Sequence, residues 1–267
     1  MSNRATSFLA TFIVASLVSA AAYAQTGTAT QKPFEPTVGQ AGKDVVWVPT
    51  PQAVVNKMLD LTHVTAKDFV MDLGSGDGIT VITAAKRGAR AMGIEYNPDM
   101  VELAKKNAAA AGVTDRATFV KADLFETDFS KADVITMFLL PSINMKLRPK
   151  ILDLKPGTRI ASNTFTMEDW QADEVATVTD GCSSSWCTAL YWVVPAKVAG
   201  NWQMTQGALA LTQTFQMITG TLGTQKVEGR LLGDEITFTA GATKYVGKVS
   251  GSTITGTVPS AWTAKKQ

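Results

Sequence analysis

Between Pro51 and Pro195 the apolar positions switch repeatedly between a helical and an extended spacing. In Pro51–Leu61, Val54, Val55, Met58, Leu59 and Leu61 fall on one helix face. An unbroken apolar run, Phe69–Leu73, then reads as a buried strand, with a helix over Ile79–Arg87 behind it. The same alternation continues with a strand at Ala91–Glu95 and a helix from Pro98 to about Ala111, stopped at Gly112. Strands follow at Ala117–Lys121 and Asp133–Phe138, then a helix over roughly Ile143–Leu152. After the Lys155-Pro156-Gly157 turn come a strand at Thr158–Ser162 and two more at Glu174–Val178 and Ala189–Val194. Such an order predicts an α/β fold, a mostly parallel sheet with helices on both faces.

After Pro195 the helical spacing vanishes. Short β-prone runs alternate with glycine turns: Gln213–Gly220, Val227–Leu232, Glu235–Thr239, Tyr245–Val249 and Thr253–Val258. Gly233-Asp234 and Gly251-Ser252 have the chemistry of two-residue hairpin loops. This part predicts a small antiparallel meander or partly closed barrel over Gly200–Ala264. The expected division is a signal peptide at 1–24, a flexible lead-in at 25–44, an α/β domain at 45–197 and a small all-β domain at 198–267.

The densest chemistry lies at the ends of the first three strands. Val70–Gly78 reads Val-Met-Asp-Leu-Gly-Ser-Gly-Asp-Gly, an apolar run that ends in Asp72 and turns through Gly74, Gly76 and Gly78 into a helix. Glycines here let a ligand approach the backbone, and a helix start offers amide donors. Ile79 stands where a dinucleotide-binding Gly-x-Gly-x-x-Gly would need its third glycine, which argues against a nicotinamide oxidoreductase. Glu95, at the second strand's tip, is placed to accept ribose hydroxyls. Asp123, just past the third strand, can accept from an adenine amino group while the amide of Leu124 donates to the ring.

Composition narrows the classes. Hydrophobic residues make up 45% of the 267, enough for a real core, and a net charge of +2 with interspersed signs gives nucleic-acid binding no support. With one histidine, His63, and two cysteines, no protein-ligated metal site is expected. The N-terminus differs in kind. Arg4 is the only charged side chain before Lys32, and Phe8–Ala22 is nearly continuous apolar sequence ending in Ala22-Tyr23-Ala24, a cleavage pattern before Gln25. The competing reading is an uncleaved anchor, although the stretch is short for a span of ~20 residues. Either way, an exported, periplasmic body is expected, with membrane contact only through this segment. In an oxidising compartment Cys182 and Cys187 can close a small loop, the alternative being two unrelated buried thiols.

Three strand tips, each with an acid, in βαβαβ order resemble the class I S-adenosylmethionine (SAM)-dependent methyltransferases. Three stretches are similar to a narrower group: Val45-Val-Trp-Val-Pro-Thr-Pro51, Asp72-Leu-Gly-Ser-Gly-Asp-Gly78, and Phe138-Leu-Leu-Pro-Ser142 with Leu147-Arg-Pro-Lys150. These resemble prokaryotic relatives of the mitochondrial lysine methyltransferases that act on the c-type ring protein of ATP synthase and on the adenine nucleotide carrier. The likeness covers about Val45–Trp170. It implies a Rossmann-like seven-stranded methyltransferase sheet, SAM as cofactor, and a protein lysine or other amine as methyl acceptor. It also implies that Asp72 and the Gly74/Gly76/Gly78 turn face the methionine part of SAM, Glu95 the ribose, and Asp123 with Leu124 the adenine. Trp47, Pro49, Thr50 and Phe138 become candidates to line the substrate channel. Asn163 and the backbone carbonyls of Leu139 and Leu140 are candidates to orient an amine. The chain departs from the expected pattern at Ile79, where an Arg is common, at Phe138, where a Tyr is expected, and at Ser162–Phe165, where a His-containing segment is expected. A catalytically silent scaffold acting through its β-rich tail stands as the alternative to an active enzyme.

Overall fold

The computed structural model describes residues 1–3 and 34–267; the apolar stretch Phe8–Ala22 and its cleavage pattern lie outside the described residues. A seven-stranded sheet is built from β1 (Phe69–Leu73), β2 (Arg90–Glu95), β3 (Ala117–Lys121), β4 (Val134–Met137), β5 (Arg159–Asn163), β6 (Glu174–Thr177) and β7 (Thr188–Val193). Its order is β3-β2-β1-β4-β5-β7-β6. The first five strands are mutually parallel, and β7 runs antiparallel to both β5 and β6. Among the described residues α1 (Gln52–Leu61) leads into β1, and α2 (Ile79–Lys86), α3 (Pro98–Ala110) and α4 (Pro141–Leu152) connect later strands.

The period-two alternation sorts the strands' side chains between two cores. Val70 and Val134 point to one face, where α1, α2 and α3 bring Val55, Leu59, Val81, Val101 and Ala104. Met71, Leu73, Ile135 and Met137 point to the other, against Ile143, Leu147 and Ile151 of α4 and the buried Trp170 and Trp192. Even-numbered positions of β1 and β4 therefore share the first face, which matters for Asp72 and Thr136, register partners across these two strands. The start of α3 is fixed locally: Asn97 accepts from the Asp99 amide at 2.9 Å, and Pro98 occupies the first helical position.

The β-rich part is a fully closed barrel of eight strands: β8 (Gly200–Met204), β9 (Gly207–Thr214), β10 (Met217–Leu222), β11 (Gln225–Leu232), β12 (Glu235–Ala240), β13 (Thr243–Ser250), β14 (Thr253–Val258) and β15 (Trp262–Lys266). Each strand pairs with the next, and β15 returns to β8 to close the ring. Eight strands leave an interior about wide enough for side chains to fill. Trp202, Leu209, Ile218, Val227, Ile236, Phe238, Tyr245, Ile254 and Trp262 fill it. Phe238 stacks on Tyr245 at 4.8 Å, and Trp262 meets both rings edge-on. Gly256 makes room for this: a Cβ there would lie 2.1 Å from the Trp262 indole.

Two expectations are corrected. The run Gln213–Gly220 is not one strand, because Phe215 adopts φ 53° and turns the chain between β9 and β10. A non-glycine residue in the left-handed region carries no sequence signature. The lead-in is structured from Gly39 onward: the Gly39 amide donates to Trp47 O at 2.8 Å and the Trp47 amide to Gln40 O at 2.9 Å, with a bridge between Ala41 and Val46. These bonds make Gly39–Trp47 a small hairpin.

The barrel seats on the sheet through the β9–β10 turn. Phe215 stacks on Trp170 at 5.9 Å, Gln216 donates to Gln171 O at 2.8 Å, and Arg230 pairs with Asp173 at 2.5 Å. The Asp173 side chain is buried, and this burial raises its pKa against the opposing pull of its partners.

Candidate active site

Ligands of open α/β sheets bind beyond the carboxyl ends of the parallel strands. There the chain forms a cleft that opens to solvent. The Gly74–Asp77 turn, the tips of β2, β3 and β4, and the whole hairpin-to-helix segment Gln40–Thr50 wall it. Asp72 sits at its floor, buried, and accepts from the Thr136 hydroxyl at 2.6 Å. Burial raises its pKa to about 7; the Thr136 bond opposes the rise, while Glu95 and Asp77 add to it. A carboxylate held this way is stabilised in its charged form by an incoming cation.

The glycine turn is clamped from its neighbouring strand. The amides of Gly74 and Ser75 both donate to Ile94 O, at 2.9 and 3.0 Å, and the Gly76 amide donates to Glu95 Oε2 at 3.0 Å. Glu95 Oε1 accepts from the Asn97 amide at 2.9 Å. A carboxylate offers about four lone-pair sites, so two bonds leave Glu95 able to accept hydroxyls from a ligand. Gly76 has φ 52°, and a Cβ on it would lie 2.6 Å from Trp47 Nε1. The close approach of indole and backbone needs glycine there.

The hairpin reaches across the cleft mouth. Lys43, near its tip, pairs with Asp123, and its ammonium lies 5.0 Å from the centre of the Tyr96 ring. The pair holds Asp123 below its ordinary pKa and raises that of Lys43. Asp123 also accepts from the Phe125 amide at 2.9 Å.

Of the residues singled out from sequence, Asp72, Gly74, Gly76, Glu95, Asp123, Leu124, Trp47, Pro49, Thr50, Phe138 and Leu139 all line this cleft. Three others do not. Gly78 caps α2 with φ 86° and faces Phe119 and Ala104, where a Cβ would meet the Phe119 ring at 2.7 Å. It therefore packs α2 against its neighbours. Asn163 is fully buried, and its Oδ1 accepts from the Thr164 hydroxyl at 2.8 Å. Leu140 caps α4, its carbonyl already accepting the Ile143 and Asn144 amides at 2.9 and 3.0 Å. Neither lines the cleft. His63 is exposed at the end of α1. Cys182 and Cys187 form a disulfide, so the reading as unrelated thiols is set aside.

Sequence reasoning missed Lys43, Thr136, Ser75 and Asp77. Thr136 had a signal, since it is the register partner of Asp72 on the same face. Lys43 had none, because its partner lies 80 positions away.

The residues present fit SAM. A buried acid awaits a cation, the Gly74–Asp77 turn lines the cleft, and the buried Ser75 hydroxyl has no partner. Sheet order, glycine turn and strand-tip acids together define a class I SAM-dependent methyltransferase. The ANTKMT methyltransferase domain matches residues 72–174. A protein-lysine N-methyltransferase of Saccharolobus islandicus is 46% identical over 140 residues, 51% of this chain and 87% of that protein. The adenine nucleotide translocase lysine N-methyltransferase of Mus musculus is 36% identical over 119 residues, 44% of this chain, and there the chain spans only about half (51%) of the relative's length. The crystal structure of an RNA methyltransferase from Salinibacter ruber with S-adenosyl-L-homocysteine (SAH) superposes with a TM-score of 0.52 at 45% identity, covering 57% of this chain and 96% of that one. The chain belongs to this family of methyltransferases, and SAM is its cofactor.

Proposed function

We propose that the protein methylates an amine nitrogen of a protein acceptor, a lysine side chain foremost, outside the cytoplasm. The observation that carries the reading is the open cleft that gathers Asp72, Glu95 and Asp123 at three adjacent strand tips beside the Trp47–Thr50 segment and Phe138. An open cleft supports turnover over the scaffold reading, which calls for a filled one. The name of the Saccharolobus islandicus relative supports lysine as the acceptor. Export is supported by the apolar N-terminal stretch and by the disulfide.

When bound, SAM supplies an electrophilic methyl group on a positively charged sulfonium, so transfer forms an N–C bond as the C–S bond breaks and leaves SAH. The chain's own residues bind and align. Asp72 answers the ammonium of the methionine part, Glu95 takes ribose hydroxyls, and Asp123 with the Leu124 amide takes the adenine edge. Trp47, Pro49, Thr50, Phe138 and Leu139 exclude water where the acceptor arrives. In-line displacement needs alignment more than acid–base machinery. The acceptor must still arrive neutral, and an apolar wall favours loss of its proton by disfavouring the charged form. The departing proton passes to solvent at the cleft mouth.

The test is transfer of radiolabel from methyl-labelled SAM by the purified protein into an envelope fraction. Label is expected in protein, released on hydrolysis as methyl-lysine, and lost with Glu95→Ala. Label in RNA, or in small molecules alone, overturns the acceptor assignment. Fractionation of cells carrying a tagged chain tests the location, and a cytoplasmic tag overturns it.

A further inference from the structure

Three aromatic rings from three separate elements meet at the Phe138 end of the cleft. Phe138, just past β4, stacks on Phe165 at 5.7 Å with planes 21° apart. Trp186 meets Phe138 at 5.8 Å and Phe165 at 5.2 Å, tilted to both. All three are half-buried, and none belongs to an apolar core of the molecule.

Each wall is held in place by dedicated bonds. The Phe165 carbonyl accepts from the Ser162 hydroxyl at 2.7 Å and from Asn144 Nδ2 at 3.3 Å, and both of those side chains are buried. Its amide donates to Asn163 O at 2.6 Å, and Thr164 is held at φ 61° to make the turn. Trp186 sits inside the loop closed by Cys182 and Cys187, whose Cα atoms are 5.8 Å apart. Its amide donates to the Ser184 hydroxyl at 3.1 Å. Because β7 runs antiparallel to β5, with Ala189 opposite Asn163, this loop emerges at the carboxyl end of β5, the same end of the sheet as the cleft.

Aromatic faces carry negative potential and attract alkylammonium groups, most strongly when several converge and water is excluded. We infer that Phe138, Phe165 and Trp186 form the subsite for the acceptor's amine and its alkyl stem, and that the Cys182–Cys187 disulfide fixes its third wall. The inference deepens the amine-acceptor reading above and rests on it. The subsite captures the lysine-like acceptor as its ammonium beside the cleft, and the proton passes to solvent before the neutral amine reaches the methyl group. A methylated product remains a cation, so it fits the same walls.

The experiment titrates the SAH-saturated full chain with Nε-trimethyl-lysine and with neutral Nε-acetyl-lysine, followed by calorimetry and tryptophan fluorescence. Trimethyl-lysine is expected to bind roughly tenfold more tightly than acetyl-lysine, and Trp186→Ala to erase about that factor while SAH affinity stays within about twofold. Trp186→Phe keeps an aromatic face and restores most of the affinity. The double variant Cys182→Ser/Cys187→Ser falls between wild type and Trp186→Ala. Unchanged trimethyl-lysine affinity in Trp186→Ala overturns the subsite, as does a joint fall of SAH and trimethyl-lysine affinity. SAH binding without trimethyl-lysine binding in the wild type overturns the subsite alone. Failure of SAH to bind overturns the methyltransferase reading beneath it.

Discussion

The sheet and the barrel treat buried polarity in opposite ways. Around the strand tips and connections of the sheet the fold buries Asp72, Ser75, Thr80, Thr136, Asn144, Ser162 and Asn163. Within the barrel, among the described residues, only Gln216 is buried and polar, and it turns outward to bond Gln171 and Asp173 of the other part. A parallel sheet leaves its carboxyl ends unpaired and crossed by loops, so polar groups gather there and can be aimed. A closed antiparallel barrel gives its inward positions to packing. The difference locates the site's chemistry in the open-ended half.

Four perturbations break or sharpen this contrast, beginning with the largest. Trp262→Ala removes the ring wedged between Phe238, Tyr245 and Gly256, and should lower stability by about 3–5 kcal/mol in thermal or denaturant unfolding. SAH affinity of the protein still folded should not change; a parallel fall would mean that barrel and sheet form one cooperative unit. Gly76→Val forces a side chain into the Trp47 indole at a left-handed φ, and should weaken SAH binding roughly a hundredfold by calorimetry, about 2.7 kcal/mol.

Asp72→Asn comes next and carries two signs. The folded chain holds the Asp72 proton up to about pH 7, whereas an aspartate in the unfolded chain gives it up near the ordinary value of 3.8. Its stabilising contribution is therefore complete below about pH 4 and is lost as the pH climbs through 7. The substitution should stabilise the ligand-free protein against thermal unfolding at pH 8 more than at pH 5, by on the order of 2 kcal/mol. The same substitution should weaken SAH binding about tenfold, and wild-type binding should itself weaken from pH 8 to pH 6 as the carboxylate takes up its proton. A melting temperature raised equally at both pH values would refute the buried charge. The smallest effect belongs to Lys43→Ala. Releasing Asp123 from its exposed partner should tighten SAH binding about threefold at low salt, with the gain fading as ionic strength rises.

Much of the sheet was legible because its signals are local. The Val70–Gly78 turn, the Asn97-Pro98 helix start and the apolar runs each declare themselves within ten residues. The barrel was legible as strands but not as a closed ring. Its closure rests on β8 and β15, one near each end of the domain, and neither stands out in the pattern. Site residues divide the same way. Asp72, Glu95 and Asp123 follow from strand order alone, while Lys43 acts through a contact 80 positions away. Asn163 and Gly78 fall outside the cleft lining for a related reason: both lie at the ends of their elements, where register and the left-handed φ decide which way each one faces.

Closing the ring also bears on how the chain behaves in a crowd. An open meander of eight strands presents two rows of unpaired amides and carbonyls, each a template on which another chain can add. Pairing β15 with β8 removes both rows. In the described residues the sheet keeps two free margins, β3 and β6, only five and four residues long, with Lys121 and Glu174 along them. Short charged margins resist aggregation. The three residue pairs that close the ring, Trp202–Lys266, Gln203–Lys265 and Met204–Ala264, are thus where self-association would begin if the seam opened.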